Sequence, residues 1–279
     1  MCALHDSIRK ISDLARVVVR NPRHLRLGLR AVYDSFEDAD KRRHVIGTYG
    51  FEKGLRTVCI LDILPNLDES VDPYSFLYGM SPPLDIALLK GLARQYKDCA
   101  YLEIGSWRGE SLANVASVAK KCVSVSLPPD EMRSFGATEN EVLTSNFFSK
   151  SLGNVEHIAH NSHTLDFTPY HGKFDLVFID GDHSYNGVRL DTINAHKLLR
   201  NDDSIIVWHD YGKTPETVNW AVFAAILDGS PADRRERIYR VSNTLCAIYT
   251  KKKLNASHEE FAGLPKRRFA VRINGKRTG

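Results

Sequence analysis

Two short and almost uninterrupted apolar runs constrain the fold of this chain more than any other feature of its sequence. Residues 174–179 read FDLVFI and residues 204–208 read SIIVW. A strand that is apolar along its whole length has to be buried on both faces, as in parallel sheets that are covered by helices on both sides. The stretch between the runs has the spacing of a helix with one buried face, formed by Val188, Thr192, Ala195 and Leu199. The two runs therefore predict an α/β protein.

The alternation of strands and helices begins well before these runs. Further short strands are predicted at residues 100–104, 122–125 and 155–159. The segment SPP at residues 81–83 predicts a helix that begins with a capping hydroxyl and two prolines. Strands that alternate with helices in this way form a mostly parallel sheet.

The pattern changes after the second apolar run. Thr214-Pro215-Glu216 predicts the start of a helix that ends near Gly229. Residues 238–241 and 245–250 then flank Ser-Asn-Thr, which is typical of a β-hairpin. The predicted fold class is therefore α/β: a Rossmann-like, doubly wound, mostly parallel sheet with a C-terminal antiparallel hairpin and an N-terminal helical extension.

These patterns divide the chain into three parts. Residues 1–80 are predicted to form an N-terminal helical extension and a substrate-side loop, residues 81–254 the sheet domain, and residues 255–279 a basic tail. The extension is expected to hold two helices separated by Asn21-Pro22 and a short strand at residues 58–61. The second of these helices is predicted from a stripe of apolar residues at helical spacing: Leu25, Leu29, Val32 and Phe36.

The composition is typical of a globular protein, for which we expect neither a membrane span nor an export signal. Hydrophobic residues make up 43% and charged residues 26% of the chain, and no apolar run approaches the roughly 20 residues that a transmembrane helix needs. The first residues lack the apolar core of a secretory signal. The five cysteines are scattered and odd in number, which predicts reduced thiols and a cytoplasmic protein.

Positive charge is concentrated at the two ends of the sequence. Residues 1–30 carry seven Lys and Arg against two Asp, and residues 251–279 carry nine against two Glu, so the chain between them is acidic. Basic ends attract nucleic acid, acidic lipid or a protein partner, although such charges more often belong to solvated faces. Nucleic acid therefore remains an alternative partner.

The segment EIGSWRG, residues 103–109, follows the first predicted strand of the sheet domain. Ligands of open α/β sheets bind beyond the carboxyl ends of the strands, where the strand order reverses. Gly105 permits a sharp turn, and Gly109 permits close approach of the backbone to a ligand at the following helix. A dinucleotide fingerprint would need glycine at position 107, but Trp107 is bulky. The turn therefore favours a smaller ligand with a charged amino-acid end, whose ammonium group Glu103 can orient.

A second group of polar residues follows the two apolar runs. Asp180, Asp182 and His183 come after the first run, and His209 and Asp210 come after the second. If these strands are neighbours, the five side chains converge on one rim of the sheet. Carboxylates beside imidazoles can bind a hard divalent cation or abstract a proton. Helix capping by Asp180 or Asp182, and a backbone hydrogen bond from His183, are the structural alternatives.

The segments YLEIGSWRGES, DGDHSY and WHDY together resemble the class I S-adenosylmethionine-dependent methyltransferases, in the branch of sugar and macrolide O-methyltransferases and cephalosporin hydroxylase-like proteins. The resemblance covers roughly residues 84–250 and implies S-adenosylmethionine as the cofactor. It implies a cofactor site formed by Glu103, Gly105, Ser106, Gly109, Ser111, Ser126, Asn161, Ser162 and Asp180. It also implies Mg²⁺ or another divalent cation on Asp180, His209 and Asp210, and catalytic roles for Asp180, His183 and His209.

The sequence departs from the pattern of these methyltransferases in three places. Ser126 stands where the family has the acid that holds the ribose hydroxyls, and Asp130 or Glu131 is expected to fold back and replace it. His209 stands where the best-understood metal sites have an acid, which lowers the charge of the ligand set. Asn-Asp-Asp at residues 201–203 replaces the Gly-Gly turn before the fifth strand and keeps its turn chemistry.

Together these features predict methyl transfer to a hydroxyl of a small molecule, such as a sugar or another natural product. A divalent cation is a candidate to assist the transfer. The alternatives are an RNA-binding methyltransferase or a noncatalytic methyltransferase-fold module that uses the basic ends, and a nicotinamide-dependent oxidoreductase, which Trp107 disfavours. His157, His160 and His163 are not expected to share a zinc ion, because a spacing of three along a strand sends side chains to different faces. The N-terminal helices and the loop at residues 65–83 are expected to close over the pocket or to build a dimer interface.

Overall fold

The structure of the protein is a computed structural model that describes residues 22–259 and 264–277, with side chains from residue 36 onward. The first of the two predicted N-terminal helices lies outside the described residues. The second is longer than expected, because α1 spans Pro22–Tyr49. Phe36, the last residue of the predicted stripe, is 71% exposed, whereas Val45 is fully buried. Val45 rather than Phe36 therefore joins the core.

A large mixed sheet forms the centre of the described structure. The strands are β1 Thr57–Val58, β2 Ala100–Ile104, β3 Lys121–Ser126, β4 Val155–Ala159, β5 Leu176–Ile179, β6 Ile205–Trp208, β7 Gly212–Thr214, β8 Thr217–Val218, β9 Ile238–Val241, β10 Ala247–Tyr249 and β11 Ala256–Ser257. β7 and β8 pair with each other, and the others form one sheet in the order β11-β1-β9-β10-β6-β5-β2-β3-β4.

The strand order reverses between β2 and β5. From β2 the chain adds β3 and β4 on one side and then crosses over to add β5 and β6 on the other, with all these neighbours parallel. This order confirms the doubly wound sheet and creates a crevice for a ligand at the carboxyl ends of β2 and β5. β10 runs antiparallel to β6 and β9, which confirms the C-terminal hairpin.

Helices cover both faces of the sheet. Beyond α1 they are α2 Ile60–Ile63, α3 Pro83–Ala93, α4 Glu110–Ala116, α5 Pro129–Ser134, α6 Glu139–Thr144, α7 Tyr185–Leu198 and α8 Trp220–Gly229. Val177 and Ile179 face a core shared with α7 and α8, whereas Leu176 and Phe178 face a second core shared with α3 and α4. Successive residues of β5 thus enter opposite cores, which explains its apolar sequence. None of the described helices is long and apolar enough to cross a membrane.

The prediction of one strand at residues 58–61 is wrong. β1 ends at Val58, and Ile60–Ile63 forms α2, whose first amide donates a hydrogen bond to the hydroxyl of Ser242 at 3.0 Å. A short apolar run has no periodicity long enough to separate a strand from a buried helical turn. β1 still joins the sheet beside β9, and β11, from the predicted tail, pairs with β1.

Two predicted helix starts are also displaced. The helix expected at Thr214 begins at Trp220, because Thr214 belongs to the β7–β8 hairpin and Asn219 caps α8 instead. Ser81 does not cap α3, since Pro82 occupies the N-cap position. The hydroxyl of Ser81 donates instead to Oδ2 of Asp180 at 3.2 Å.

Candidate functional site

Four of the five polar residues predicted at the ends of β5 and β6 form one cluster: Asp180, His183, His209 and Asp210. Neighbouring side chains in this cluster approach to between 3.0 and 3.6 Å. The prediction is wrong for Asp182, whose carboxylate accepts hydrogen bonds from the amide and the hydroxyl of Ser184 at 2.9 and 2.8 Å. Asp182 therefore shapes the turn before α7.

His209 is at the centre of this cluster. Its side chain is 7% exposed, and its Nδ1 atom lies 3.1 Å from Oδ1 of Asp180 and 3.2 Å from Oδ1 of Asp210. Neither oxygen lies in a hydrogen-bonding direction from the ring, so Nδ1 is buried without a partner among the described residues. Oδ2 of Asp210 lies 3.0 Å from Nδ1 of His183 but likewise makes no hydrogen bond within the described residues. Unpartnered buried polar atoms are rare and indicate a bound ion or water.

The other ring nitrogen of His209 contacts a residue that the sequence motifs do not single out. Nε2 lies 3.1 Å from Oδ2 of Asp85, which is fully buried in the first turn of α3. The same carboxylate accepts a hydrogen bond from the amide of Leu245 at 3.2 Å. One feature of the sequence could have identified Asp85. The helix α3 reads PLDIALLKGLA, and an acid in so apolar a helix needs a buried partner.

His183 lies on the solvent side of the cluster, with 57% of its side chain exposed. Its Nδ1 atom is 3.0 Å from Oδ2 of Asp210, and its Nε2 atom is 3.6 Å from Oδ1 of Asp180. The close carboxylates of Asp180 and Asp210 raise the pKa of His183 to about 10. Burial opposes ionisation of Asp210, yet the two histidines hold its pKa well below the usual range. A histidine in these surroundings can accept a proton near neutral pH only when another positive charge offsets the two carboxylates.

The cluster meets the requirements of a divalent-cation site. Asp180, His209 and Asp210 each offer one ligand atom, and these atoms lie within 4.8 Å of one another. Nδ1 of His209 and Oδ2 of Asp210 are the two unpartnered buried atoms at this place. Carboxylate oxygens and imidazole nitrogens are both common ligands of divalent metals. The residues therefore fit the cation that the resemblance implies.

The glycine turn after β2 lies directly against this cluster. Gly105 has a φ of 86°, and a Cβ atom there would overlap the backbone at Asp180 and Gly181. Gly109 has a φ of 80° at the N-cap of α4, and a Cβ atom there would overlap the hydroxyl of Ser149. Left-handed backbone and close packing together require glycine at both positions. The turn thus brings the candidate cofactor site next to Asp180.

The loop that precedes α3 runs from the glycine turn to the cluster. Arg108 donates to the carbonyl of Tyr78 at 3.0 and 3.1 Å, and Ser81 donates to Asp180. Tyr78 is 99% exposed, and Trp107, which has a φ of 38°, is 43% exposed. Two exposed aromatic residues therefore lie in this loop and in the glycine turn.

Glu103 lies beneath the glycine turn and is fully buried. Its carboxylate accepts hydrogen bonds from the hydroxyls of Tyr101 and Ser111, and burial raises its pKa to about 8. Ser106 is also engaged within the protein, because its hydroxyl donates to Asn146 at 2.7 Å. Cofactor contacts of Glu103, Ser106 and Ser111 remain predictions, and each of these side chains also stabilises the turn.

The remaining predicted cofactor residues lie at the ends of β3 and β4. Ser126 is half-buried at the end of β3, and Asn161 and Ser162 follow β4. The amide group of Asn161 donates to Glu131 at 3.2 Å. Two acids were expected to replace the ribose-binding acid. Glu131 lies beside the loop after β4, whereas the side chain of Asp130 is 98% exposed.

The three histidines at residues 157–163 have separate surroundings. His157 lies 3.2 Å from the carbonyl of Ser149, and His160 lies 2.9 Å from the carbonyl of Asn161. His163 lies 4.0 Å from the carboxylate of Asp182. Each ring therefore has its own neighbour on a different part of the chain.

A comparison with protein families matches residues 102–211 to a family described as a methyltransferase domain. The matched segment begins in β2 and ends one residue after the cluster, so it contains the glycine turn and all four clustered side chains. This match confirms the methyltransferase resemblance seen in the three sequence segments.

Individual proteins are more distantly similar. An uncharacterized protein of Acanthamoeba polyphaga mimivirus is 29% identical over 143 residues, which are 48% of this chain and 62% of that protein, so the match spans less than two thirds of the relative. The O-methyltransferase TomG of Streptomyces achromogenes, solved with SAM, is 19% identical over 62% of this chain and 82% of its own, with a TM-score of 0.43. The SAH-bound methyltransferase PaMTH1 of Podospora anserina is 20% identical over 62% and 80%, with a TM-score of 0.42. With TM-scores this low, the two structures carry no argument about the fold, which is established by the strand order.

Proposed function

We propose that this chain, which carries a class I methyltransferase domain, transfers the methyl group of S-adenosylmethionine to a hydroxyl oxygen of a small molecule, such as a sugar or another natural product. The observation that carries the proposal is the packing of Gly105 against the backbone of Asp180. This contact joins the candidate cofactor site to carboxylates and imidazoles, which are groups that deprotonate hydroxyls. Methyl transfer needs donor and acceptor held close together, and the adjacency of the two sites supports it.

The cofactor is proposed to lie across the carboxyl ends of β2 and β3. Gly105 and Gly109 let the backbone of the turn approach its amino-acid end, and Glu103 supports that turn from below. Glu131 is the proposed partner of the ribose hydroxyls in place of the acid that Ser126 lacks, because it already contacts the loop after β4 through Asn161.

His183 is the proposed general base. Its side chain is 57% exposed, whereas His209 is buried with both ring nitrogens facing carboxylates. An acceptor hydroxyl can therefore reach His183 and not His209. Asp210 holds Nδ1 of His183 at 3.0 Å, whereas Nε2 lies 3.6 Å from Asp180, beyond hydrogen-bonding distance, and is the nitrogen that takes the proton. The proton passes from the acceptor oxygen to His183 as the oxygen takes the methyl group.

Asp180, His209 and Asp210 are proposed to hold a divalent cation, for which Mg²⁺ is one candidate. When bound, the cation supplies positive charge that favours the ionised form of an acceptor hydroxyl and the proton-free form of His183. Ser81 and Asp85 hold the side chains of Asp180 and His209 in place through direct contacts. In this mechanism Asp180, His209 and Asp210 would hold the cation, and the exposed His183 takes the proton of the acceptor hydroxyl.

A methyltransferase that acts on RNA is the second candidate. Residues 264–277 carry six Lys and Arg without Asp or Glu, and nearly all of their side chains are exposed. Such a segment binds polyanions with an affinity that falls steeply as salt is added. Salt-dependent retention on RNA would favour this candidate, and its absence would leave the small-molecule acceptor.

A cytoplasmic location is proposed as well. The cysteines that the structure describes are free thiols: Cys59, Cys99, Cys122 and Cys246. Reduced thiols are typical of proteins in the cytosol. Cell fractionation of the tagged protein tests this proposal, and recovery in a secreted or membrane fraction would contradict it.

Calorimetry and mass spectrometry test the proposed activity. Titration with S-adenosylmethionine should give saturable heat and titration with NAD none, and a panel of glycosides and phenols should reveal an acceptor by its gain of a methyl group. Asp180→Ala should abolish turnover and leave the fold intact. Asp98→Ala, which changes an exposed acid just before β2, is the matched control and should retain full turnover. Normal turnover by Asp180→Ala would contradict the proposed site.

A further inference from the structure

One ligand in the candidate metal site is an imidazole. Mg²⁺ is a hard cation that prefers oxygen ligands and keeps several of its waters. Imidazole nitrogen instead suits Zn²⁺ and the divalent transition metals. Nδ1 of His209 faces Asp180 and Asp210 from a buried position. Any cation held by both carboxylates therefore meets this nitrogen as well.

The orientation of the imidazole is fixed from behind by Asp85. Nε2 of His209 lies 3.1 Å from Oδ2 of Asp85, and a carboxylate there accepts the Nε2 hydrogen and leaves the lone pair on Nδ1. Asp85 is fully buried and is anchored by the amide of Leu245 at 3.2 Å. Phe178 packs edge-on against the ring, with centroids 6.1 Å apart. A carboxylate behind a ligating histidine is the usual support at protein metal sites.

A purely structural ion pair is the alternative use of these residues. A histidinium that only bridged carboxylates would align its Nδ1 hydrogen with an oxygen of Asp180 or Asp210. Both oxygens are close enough, at 3.1 and 3.2 Å, but neither lies in a hydrogen-bonding direction. Within the described residues, neither Nδ1 of His209 nor Oδ2 of Asp210 makes a hydrogen bond, although Oδ2 lies 3.0 Å from Nδ1 of His183. Close polar atoms that do not hydrogen-bond to one another are typical of the ligands around a metal ion, and not of an ion pair held by hydrogen bonds.

We propose that Asp180, His209 and Asp210 select Zn²⁺ or a divalent transition metal such as Mn²⁺ over Mg²⁺, and that Asp85 is the positioning residue that presents His209 to the metal. The inference rests on the metal site of the proposed function and names the class of metal that the site takes. It also explains the departure of His209 from the acid of the best-understood magnesium sites as a change in selectivity.

Competition between metals tests the selectivity. The full chain is stripped with EDTA, dialysed and titrated with Mn²⁺, whose free form is followed by electron paramagnetic resonance, and Mg²⁺ or Zn²⁺ is then added as a competitor. Mn²⁺ should bind more tightly than Mg²⁺ by roughly tenfold or more, and Zn²⁺ should displace Mn²⁺. Mg²⁺ binding as tight as that of Mn²⁺ overturns the inference and leaves the proposed function standing. Binding of none of the three ions overturns both the inference and the metal part of the proposed function.

Two variants test the role of Asp85. Asp85→Asn keeps the size of the side chain and removes its charge, so Mn²⁺ affinity should fall about 10- to 100-fold. The double variant Asp85→Asn/His209→Asp offers a third carboxylate to the metal and an amide to support it, so its preference for Mn²⁺ over Mg²⁺ should shrink towards none. Asp98→Ala is the control and should keep both the affinity and the preference of the wild type.

Circular dichroism and thermal unfolding verify that each variant is folded. A folded Asp85→Asn protein with wild-type Mn²⁺ affinity overturns the role of Asp85. If the single variant does not fold, the double variant decides, because an undiminished preference for Mn²⁺ there overturns His209 as the source of selectivity. The wild-type competition needs no variant and decides the class of metal by itself.

Discussion

Glu103→Gln should make the cofactor-free protein more resistant to heat at alkaline pH. Glu103 is fully buried between the hydroxyls of Tyr101 and Ser111, and burial raises its pKa from 4.5 to about 8. Between these pH values the folded protein keeps a proton on this carboxyl that the unfolded chain has lost. The stability that this proton contributes is complete below pH 4.5 and is lost as the pH rises through about 8.

The size of the effect follows from the shift in the pKa of Glu103. Each pH unit in the window removes about 1.4 kcal/mol of unfolding free energy, so the whole window removes about 4–5 kcal/mol. Glutamine keeps the shape and the acceptor oxygen without a titrating proton, so the variant lacks this loss. At about 2–4 °C per kcal/mol for a protein of this size, the variant should unfold on the order of 10 °C above the wild type at pH 9. At pH 5 the two proteins should differ far less.

Differential scanning fluorimetry of both proteins without cofactor, from pH 5 to pH 9, measures this difference. Subtracting the two curves removes the titration of every group that the proteins share. A difference in unfolding temperature that does not change with pH would refute the reasoning, because Glu103 would then be ionised throughout. Cofactor affinity is a separate readout and should fall in the variant, since an amide, unlike the carboxyl of Glu103, cannot lose a proton to pair with the ammonium group of S-adenosylmethionine.

Three further substitutions test other parts of the structure. Gly105→Ala should lower the unfolding temperature and abolish cofactor binding, because its φ of 86° is unfavourable for alanine and the new Cβ overlaps the backbone at Asp180; unchanged unfolding and calorimetry would contradict the tight packing of the turn. Ser126→Asp should tighten S-adenosylmethionine binding about tenfold by supplying a charged acceptor for the ribose hydroxyls; an unchanged Kd would show that the ribose does not reach the end of β3. Tyr185→Phe removes a hydrogen bond to Asp228 of 2.6 Å and should lower the free energy of unfolding by about 1 kcal/mol without changing turnover; loss of turnover would place Tyr185 in the acceptor site.

The sheet and the four-residue cluster were predictable because their causes are local in the sequence. β5 is apolar throughout because Val177 and Phe178 enter opposite cores. Parallel neighbouring strands end at the same edge, so the polar residues that follow β5 and β6 meet there whatever the length of the helix between them. The sequence alone therefore predicts that Asp180, His209 and Asp210 lie together.

Other features depend on contacts between distant segments, which no local pattern encodes. Asp85 lies 124 residues before His209, and only the folded sheet brings α3 behind the imidazole. Ser81 fails as a cap because Pro82 takes that position, which frees its hydroxyl for Asp180. Asp182 is a different case, because it stays out of the cluster for a local reason: its carboxylate accepts hydrogen bonds from Ser184.

The assignment of a methyltransferase site to the carboxyl ends of β2 and β5 is tested most directly by isothermal titration of the full chain with S-adenosylmethionine. The wild type should bind one cofactor per chain with saturable heat, and Gly105→Ala should not bind it, because the turn against Asp180 is then displaced. The absence of heat from the folded wild-type protein, or equal binding by the folded Gly105→Ala variant, would contradict the assignment.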